Sequence, residues 1–137
     1  VKFRTMRADS ESGGPRMARA DDDRIVRGGR FLRRSRLDEL PQMWNVLVGD
    51  MSIVGPRAEQ IPFVRQFRKR IPFYDQRHLV RPGITGWAQV NFGYAEGAAD
   101  TVEKLSYDLY YVKHVSPILD VQILWKTIWT VVTAAGR

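Results

Sequence analysis

The chain has 137 residues, 44% of them hydrophobic and 27% charged, which is the balance of one globular domain large enough to bury a core. It contains no cysteine, so a disulfide framework and a thiolate metal site are both excluded. The net charge of +7 is lopsided: residues 1–37 hold 11 basic and 5 acidic side chains and the rest hold 11 and 10, so the front end calls for an anionic partner.

Val1 to Met6 alternates apolar and basic residues, which predicts a short strand presenting Lys2 and Arg4 on one side, or an edge strand protected by charge. Residues 7–20, with Ser12-Gly13-Gly14-Pro15, read as a flexible loop. Asp21-Asp22-Asp23 invites a divalent metal, although three carboxylates before a helix are more often a cap and a solvated first turn. Arginines at 24, 27, 30, 33, 34 and 36 follow on a predicted helix, as plain surface charge or as a phosphate site. Arginine suits the second role because its fork donates two parallel hydrogen bonds to a phosphate.

The adjacent acids Asp38 and Glu39 come next. Leu37, Leu40, Trp44, Leu47 and Val48 recur at helical spacing, predicting one buried face, with Pro41 in the first turn and the acid pair at the helix N-terminus. A Ser35 N-cap is the alternative register. Gly49-Asp50 ends this helix, and Gly55-Pro56 turns the chain back to present Arg57. A capped core helix with a solvated basic lead-in accounts for the same spacing.

Residues 61–73 predict a helix with Pro62 in its first turn; Phe63, Val64, Phe67 and Ile71 form its stripe, and Arg65, Arg68, Lys69 and Arg70 its solvated or headgroup-facing side. Pro82-Gly83 and Gly86 predict a hairpin or irregular loop over 81–91, continued by 93–97. Residues 100–112 predict a helix buried through Val102, Leu105, Leu109 and Val112, on which Asp108 either meets the site or is a tyrosine-linked structural carboxylate. Ser116 caps a last helix over 118–135 that carries Trp125 and Trp129; two charges and several threonines argue against spanning, while the tryptophans suit a membrane interface. His78 and His114 read as structural or surface groups. The fold class is mainly α with a few short strands: a small globular domain with amphipathic helices suited to a membrane surface.

Several stretches are similar to the bacterial sugar transferases, the polyprenyl-phosphate glycosyl-phosphate transferases that start surface glycans. They are Lys2-Phe3-Arg4-Thr5-Met6, Asp23-Arg24-Ile25-Val26-Arg27, Gly29-Arg30-Phe31-Leu32-Arg33, Leu37-Asp38-Glu39-Leu40-Pro41-Gln42, Asn45-Val46-Leu47, Gly49-Asp50-Met51-Ser52, Val54-Gly55-Pro56-Arg57, Arg81 to Asn91, and Tyr107 to Val112. The resemblance covers nearly the whole of residues 1–137; Ala58 in place of a second proline and Val26 in place of a threonine are its departures. In that family the lysine–phenylalanine motif follows a membrane-embedded segment, so the resemblance implies a catalytic domain without its principal anchor, at the cytoplasmic face of the bacterial inner membrane.

Adjacent carboxylates cannot straddle a sugar ring as a glycosidase pair does, since that needs carboxyls roughly 5–9.5 Å apart on opposite faces. They can divide two tasks at one phosphate. The resemblance implies that Asp38 attacks the sugar-linked phosphorus of a nucleotide diphosphate-sugar, usually a UDP-sugar, releasing UMP and leaving a covalent aspartyl phosphosugar. A polyprenyl phosphate, expected to be undecaprenyl phosphate, then takes the phosphosugar. Glu39 is expected to hold Mg²⁺, and Arg33 and Arg57, with Lys2 and Arg81 behind them, to bind phosphate. A nucleic-acid-binding module is the rival reading; it is disfavoured because no zinc, RNA-recognition or helix-turn-helix signature accompanies the basic segment and the aromatics lie elsewhere. A non-catalytic membrane-surface adaptor is a third.

Overall fold

The computed structural model describes residues 3–7, 9–10, 22–34, 37–92 and 98–132. Lys2, the 11–20 stretch, Ser35 and the 93–97 loop lie outside the described residues. The elements run α1 (Gly29–Arg34), a 3-10 turn (Leu37–Glu39), α2 (Gln42–Leu47), β1 (Ser52–Val54) and α3 (Ile61–Arg70). They continue with a 3-10 stretch (Tyr74–Leu79), β2 (Gly83–Thr85), α4 (Trp87–Asn91), α5 (Ala98–Lys113) and α6 (Pro117–Val132). The fold is mainly α with a few short strands, as the sequence predicts.

Local chemistry places the ends of the long helices. Ser116 Oγ accepts the Leu119 N–H at 3.3 Å, and Pro117 opens α6 where a missing donor costs nothing. Pro62 does the same for α3, and Pro72 follows its end. Gly49 takes the left-handed φ of +88° that stops α2.

Among the described residues the core is two small clusters. Val54, Tyr111, Leu119 and Ile123 pack with Val80, Trp87 and Val90; Phe67, Ile71, Tyr74 and Leu105 pack with Phe63, Val64 and Leu109. Each large side chain so buried contributes about 1.5–3 kcal/mol. The α3 stripe is the one expected, with Arg65, Arg68, Lys69 and Arg70 exposed. On α5 the buried line is Thr101, Leu105, Asp108 and Tyr111, whereas Val102, expected inside, is exposed.

Three other expectations are corrected. Residues 81–91 form neither a hairpin nor an irregular loop: β2 pairs in parallel with β1, Ser52 opposite Gly83 and Val54 opposite Thr85, and α4 follows. Parallel pairing needs a long crossover, which α3 and the second 3-10 stretch supply. The arginine-rich helix is shorter than predicted, and Asp22 does not cap it. Arg24 instead clasps Asp22 through Nε (2.8 Å) and Nη2 (2.6 Å), while Arg7 and Val26 N–H groups tie residues 5–7 to 24–26. Finally, Leu37, Leu40, Trp44, Leu47 and Val48 form no buried face. All five are exposed, Trp44 at 63% and Leu47 at 78%. On α6, too, Ile118, Val121, Trp125, Ile128, Trp129 and Val132 face outward. Periodicity reports that a face is apolar, not what covers it.

Candidate active site

The site is built where two turns meet. Asp38 and Glu39 occupy their own 3-10 turn rather than the first turn of α2, because Pro41, with φ −63°, is the N-cap residue of that helix. The turn packs beside α1, and the Phe3 N–H donates to the Asp38 carbonyl at 3.1 Å. Both acids are buried, Asp38 at 2% exposure and Glu39 at 8%, in a stretch whose apolar neighbours are exposed. Burying carboxylates costs several kcal/mol each unless polar groups receive them. Here the expected inside and outside are exchanged, which makes the turn a candidate site.

Arg57 supplies one such group: its Nη2 donates to Glu39 Oε1 at 2.8 Å. It comes from the turn that leaves β1, and that turn curls tightly around β2. Gly83 is bridged to Ser52 where β1 begins and to Arg57 after the turn. The Gly83 N–H donates to the Pro56 carbonyl at 3.0 Å and the Gly55 N–H to the Thr85 carbonyl at 2.9 Å. A Cβ on Gly83 would lie 2.1 Å from the Gly55 nitrogen, and one on Gly55 would lie 2.4 Å from the Arg81 carbonyl oxygen. Only glycine permits that approach. The Val54–Arg57 and Arg81–Thr85 motifs, read separately in the sequence, are two halves of one crossing that aims Arg57 at Glu39.

The remaining predicted phosphate binders are placed less directly. Arg33 Nε donates to the buried Thr5 hydroxyl at 2.9 Å, which ties α1 to the segment carrying Phe3. Arg81 is exposed, with its Nη1 beside the Gly49 turn. Lys2 is outside the described residues. Thus the structure brings Glu39 and Arg57 into direct contact, with Asp38 next to Glu39 in the same turn, and sets Arg33 on a neighbouring element.

Sequence reading missed Arg77. It lies in a polar run, Asp75-Gln76-Arg77-His78, that looks solvated, yet it is 3% exposed. Its Nη2 donates to the Arg57 carbonyl at 2.8 Å, its Nε to Asp108 Oδ2 at 3.0 Å and its Nη1 to the Tyr74 hydroxyl at 3.1 Å. Nη2 also lies 2.8 Å from Asp108 Oδ2. Burial works to lower the Arg77 pKa, but Asp108 and Tyr74 outweigh it and the net direction is up, so the guanidinium stays charged. Of the two readings of Asp108 the structural one fits, with Arg77 rather than a tyrosine as its direct partner: Asp108 is tied through Arg77 to the turn that bears Arg57. The sequence signal that could have found this was a carboxylate on the Leu105–Tyr111 line of α5, a buried line on which a charge needs a partner. His78 and His114 are exposed, as expected.

The bacterial sugar transferase family model matches residues 1–134. Among curated relatives, the UDP-N-acetylgalactosamine-undecaprenyl-phosphate N-acetylgalactosaminephosphotransferase of Aeromonas hydrophila is 54% identical over 135 residues, covering 98% of this chain and 32% of the relative. The UDP-glucose:undecaprenyl-phosphate glucose-1-phosphate transferase of Escherichia coli K12 is 44% identical over 132 residues, covering 93% of this chain and 28% of the relative. The exopolysaccharide production protein PSS of Rhizobium leguminosarum bv. phaseoli is 41% identical over 133 residues, 93% of this chain and 66% of the relative. The chain spans about a third or less of the first two.

Proposed function

The chain belongs to the bacterial sugar transferase family, and from that premise we propose that it moves a sugar phosphate from a UDP-sugar to a polyprenyl phosphate, undecaprenyl phosphate by analogy with its relatives. The single observation that carries this reading is the buried Asp38–Glu39 turn with Arg57 bound to Glu39. A carboxylate with a neighbouring guanidinium is what in-line attack on a phosphodiester needs: an ionised nucleophile and a counter-charge for the equatorial oxygens.

In the first half-reaction an Asp38 carboxylate oxygen bonds to the sugar-linked phosphorus, the phosphoanhydride bond breaks and UMP leaves with the electron pair. In the second, a phosphate oxygen of the carrier bonds to the same phosphorus, the bond to Asp38 breaks, and the free carboxylate returns with polyprenyl diphosphate-sugar as product. Burial protects an aspartyl phosphate from water. At 2% exposure Asp38 also needs a neighbouring group to move aside as substrate enters.

Among the described residues no three metal-ligating side chains cluster. Mg²⁺ is commonly held by one or two carboxylates together with substrate phosphates. Glu39 is the residue that would hold it, and the ion would neutralise diphosphate charge. Arg57 binds phosphate directly in this reading, with Arg33, Arg81 and Lys2 adding positive potential.

Among the described residues no helix is long and apolar enough to cross a membrane. The outward apolar faces of α2 and α6 support a domain seated on the headgroup region, where the carrier's phosphate emerges. The cytoplasmic face is the side that nucleotide-sugars reach. The product would initiate exopolysaccharide, O-antigen or glycoconjugate synthesis.

Intact-mass spectrometry of the full-length protein incubated with candidate UDP-sugars and Mg²⁺ tests the chemistry. A phosphosugar adduct on the peptide containing Asp38 is expected, absent in Asp38→Asn, which also loses turnover while keeping its melting temperature. Transfer activity retained by Asp38→Asn would refute the nucleophile.

A further inference from the structure

The turn carrying Arg57 is held through its backbone by groups from the second 3-10 stretch and α5. Arg77 grips the Arg57 carbonyl, Asp108 grips Arg77 through both Nε and Nη2, and Tyr74 meets Nη1. Three residues further along α5, Tyr111 lies with its hydroxyl 3.3 Å from the Val54 carbonyl and 2.9 Å from Asp120. Asp108 and Tyr111 share one face of α5, at a spacing that makes them neighbours. The turn is thus fixed at its two ends, residues 54 and 57, from a single helix.

A buried ion pair is an expensive way to fill this space. Hydrophobic residues of similar volume commonly fold as well or better. The backbone is also strained nearby: Phe73 takes φ +62° immediately before the stretch that carries Tyr74 and Arg77. For a bulky residue that is an outlier, of the kind found where a particular geometry is being enforced. The product of both costs is a guanidinium whose fork is pinned by Asp108 and whose remaining Nη2 proton meets one carbonyl. Lysine, a point charge without the planar fork, cannot reproduce it.

We propose that Arg77 and Asp108 are positioning residues for the transfer reaction, fixing the Arg57 backbone so that its side chain meets Glu39 and the substrate phosphate. This rests on the reading of Asp38, Glu39 and Arg57 as a phosphoryl-transfer site. Neither Arg77 nor Asp108 contacts substrate in this account. They set where Arg57 stands, and a misplacement of about 1 Å at such a group can cost on the order of a hundredfold in rate.

Two variants of the full-length protein separate positioning from folding. Arg77→Met/Asp108→Leu removes both charges and keeps the volume; Arg77→Lys keeps the charge and loses the fork. Each is assayed for transfer from a UDP-sugar to undecaprenyl phosphate, with kcat and KM for the nucleotide-sugar measured well below the melting temperature of the variant. The double variant is expected to melt cooperatively near wild type, and both variants to lose roughly 10- to 100-fold in kcat, with KM for the nucleotide-sugar changed less. Wild-type kcat in a cooperatively melting variant overturns the proposal. So does loss of cooperative melting in both variants, which would make the pair a folding element. Asp38→Asn is run alongside: if it still transfers, the reading of the site has failed; if it is dead while the double variant works normally, only the positioning role has.

Discussion

Replacing Gly83 with alanine tests the crossing that aims Arg57. The added Cβ would lie 2.1 Å from the Gly55 nitrogen and 2.6 Å from the Gly55 oxygen, both backbone atoms that no rotamer change can withdraw. Ordinary contact lies near 3.5 Å, so the two chains must part by roughly 1.4 Å. Overpacking of this kind costs about 1–3 kcal/mol. The separation also stretches the Gly83-to-Pro56 and Gly55-to-Thr85 hydrogen bonds, 3.0 and 2.9 Å long, each contributing about 1 kcal/mol net. The total is roughly 3–5 kcal/mol, a large part of the stability of any domain this size. At about 4 °C per kcal/mol the melting temperature falls by roughly 10–20 °C. Gly28→Ala is the control, since a Cβ there meets nothing within 4 Å and pays only for its φ of +83°, about 1–2 kcal/mol. Thermal unfolding followed by circular dichroism ranks the two. If Gly83→Ala melts with or above Gly28→Ala, the close crossing is wrong. At a temperature where both are folded, Gly83→Ala should also transfer more slowly than Gly28→Ala, because the displaced turn carries Arg57 away from Glu39.

Arg57→Ala should lower kcat/KM for the nucleotide-sugar by at least about a hundredfold. It should lower stability by roughly 1–3 kcal/mol, because the Glu39 side chain it leaves behind is only 9% exposed; a rate loss no larger than the lost folded fraction explains would make the arginine structural. His78 has its pKa depressed by burial and then by the Arg77 and Arg68 charges, against the pull of Asp75, so the unfolded chain binds that proton more readily. Stability is therefore full above the ordinary histidine range and declines as pH falls through about 6.5 and below; the decline should be shallower in His78→Gln, as read from melting temperatures across that range. Trp125→Ser/Trp129→Ser should reduce sedimentation with anionic lipid vesicles at least about tenfold and shift the melting temperature little, both side chains being largely exposed. Unchanged vesicle binding would take α6 off the membrane.

Much of this architecture is legible in the sequence because local chemistry settles it. The α3 stripe, the Ser116 cap and the Gly49 stop depend on neighbours within a turn or two. Three-residue strands leave no alternation to read, so the parallel pairing of Ser52–Val54 with Gly83–Thr85 had no local signature. The apolar spacing at 37, 40, 44, 47 and 48 is real but faces outward, since periodicity cannot tell a core from another covering. Asp38, Glu39 and Arg57 are singled out by the resemblance, since spacing alone favours a capped core helix, and the Arg57–Glu39 contact joins residues 18 apart. Arg77 was illegible because its partner stands 31 residues away on α5, and only tertiary structure turns a polar run inward.

The dependence of Arg57 on α5 also orders events during synthesis. The ribosome lays down the acid pair early, but Asp108, which secures Arg77, is made ~70 residues later, a delay of roughly 4–14 s at ordinary elongation rates. Over that interval the nascent chain already carries the acid pair while Arg57 has no fixed seat. Competence to react should thus arrive as a late step in biogenesis, once the tyrosine-rich helix clears the exit tunnel and docks.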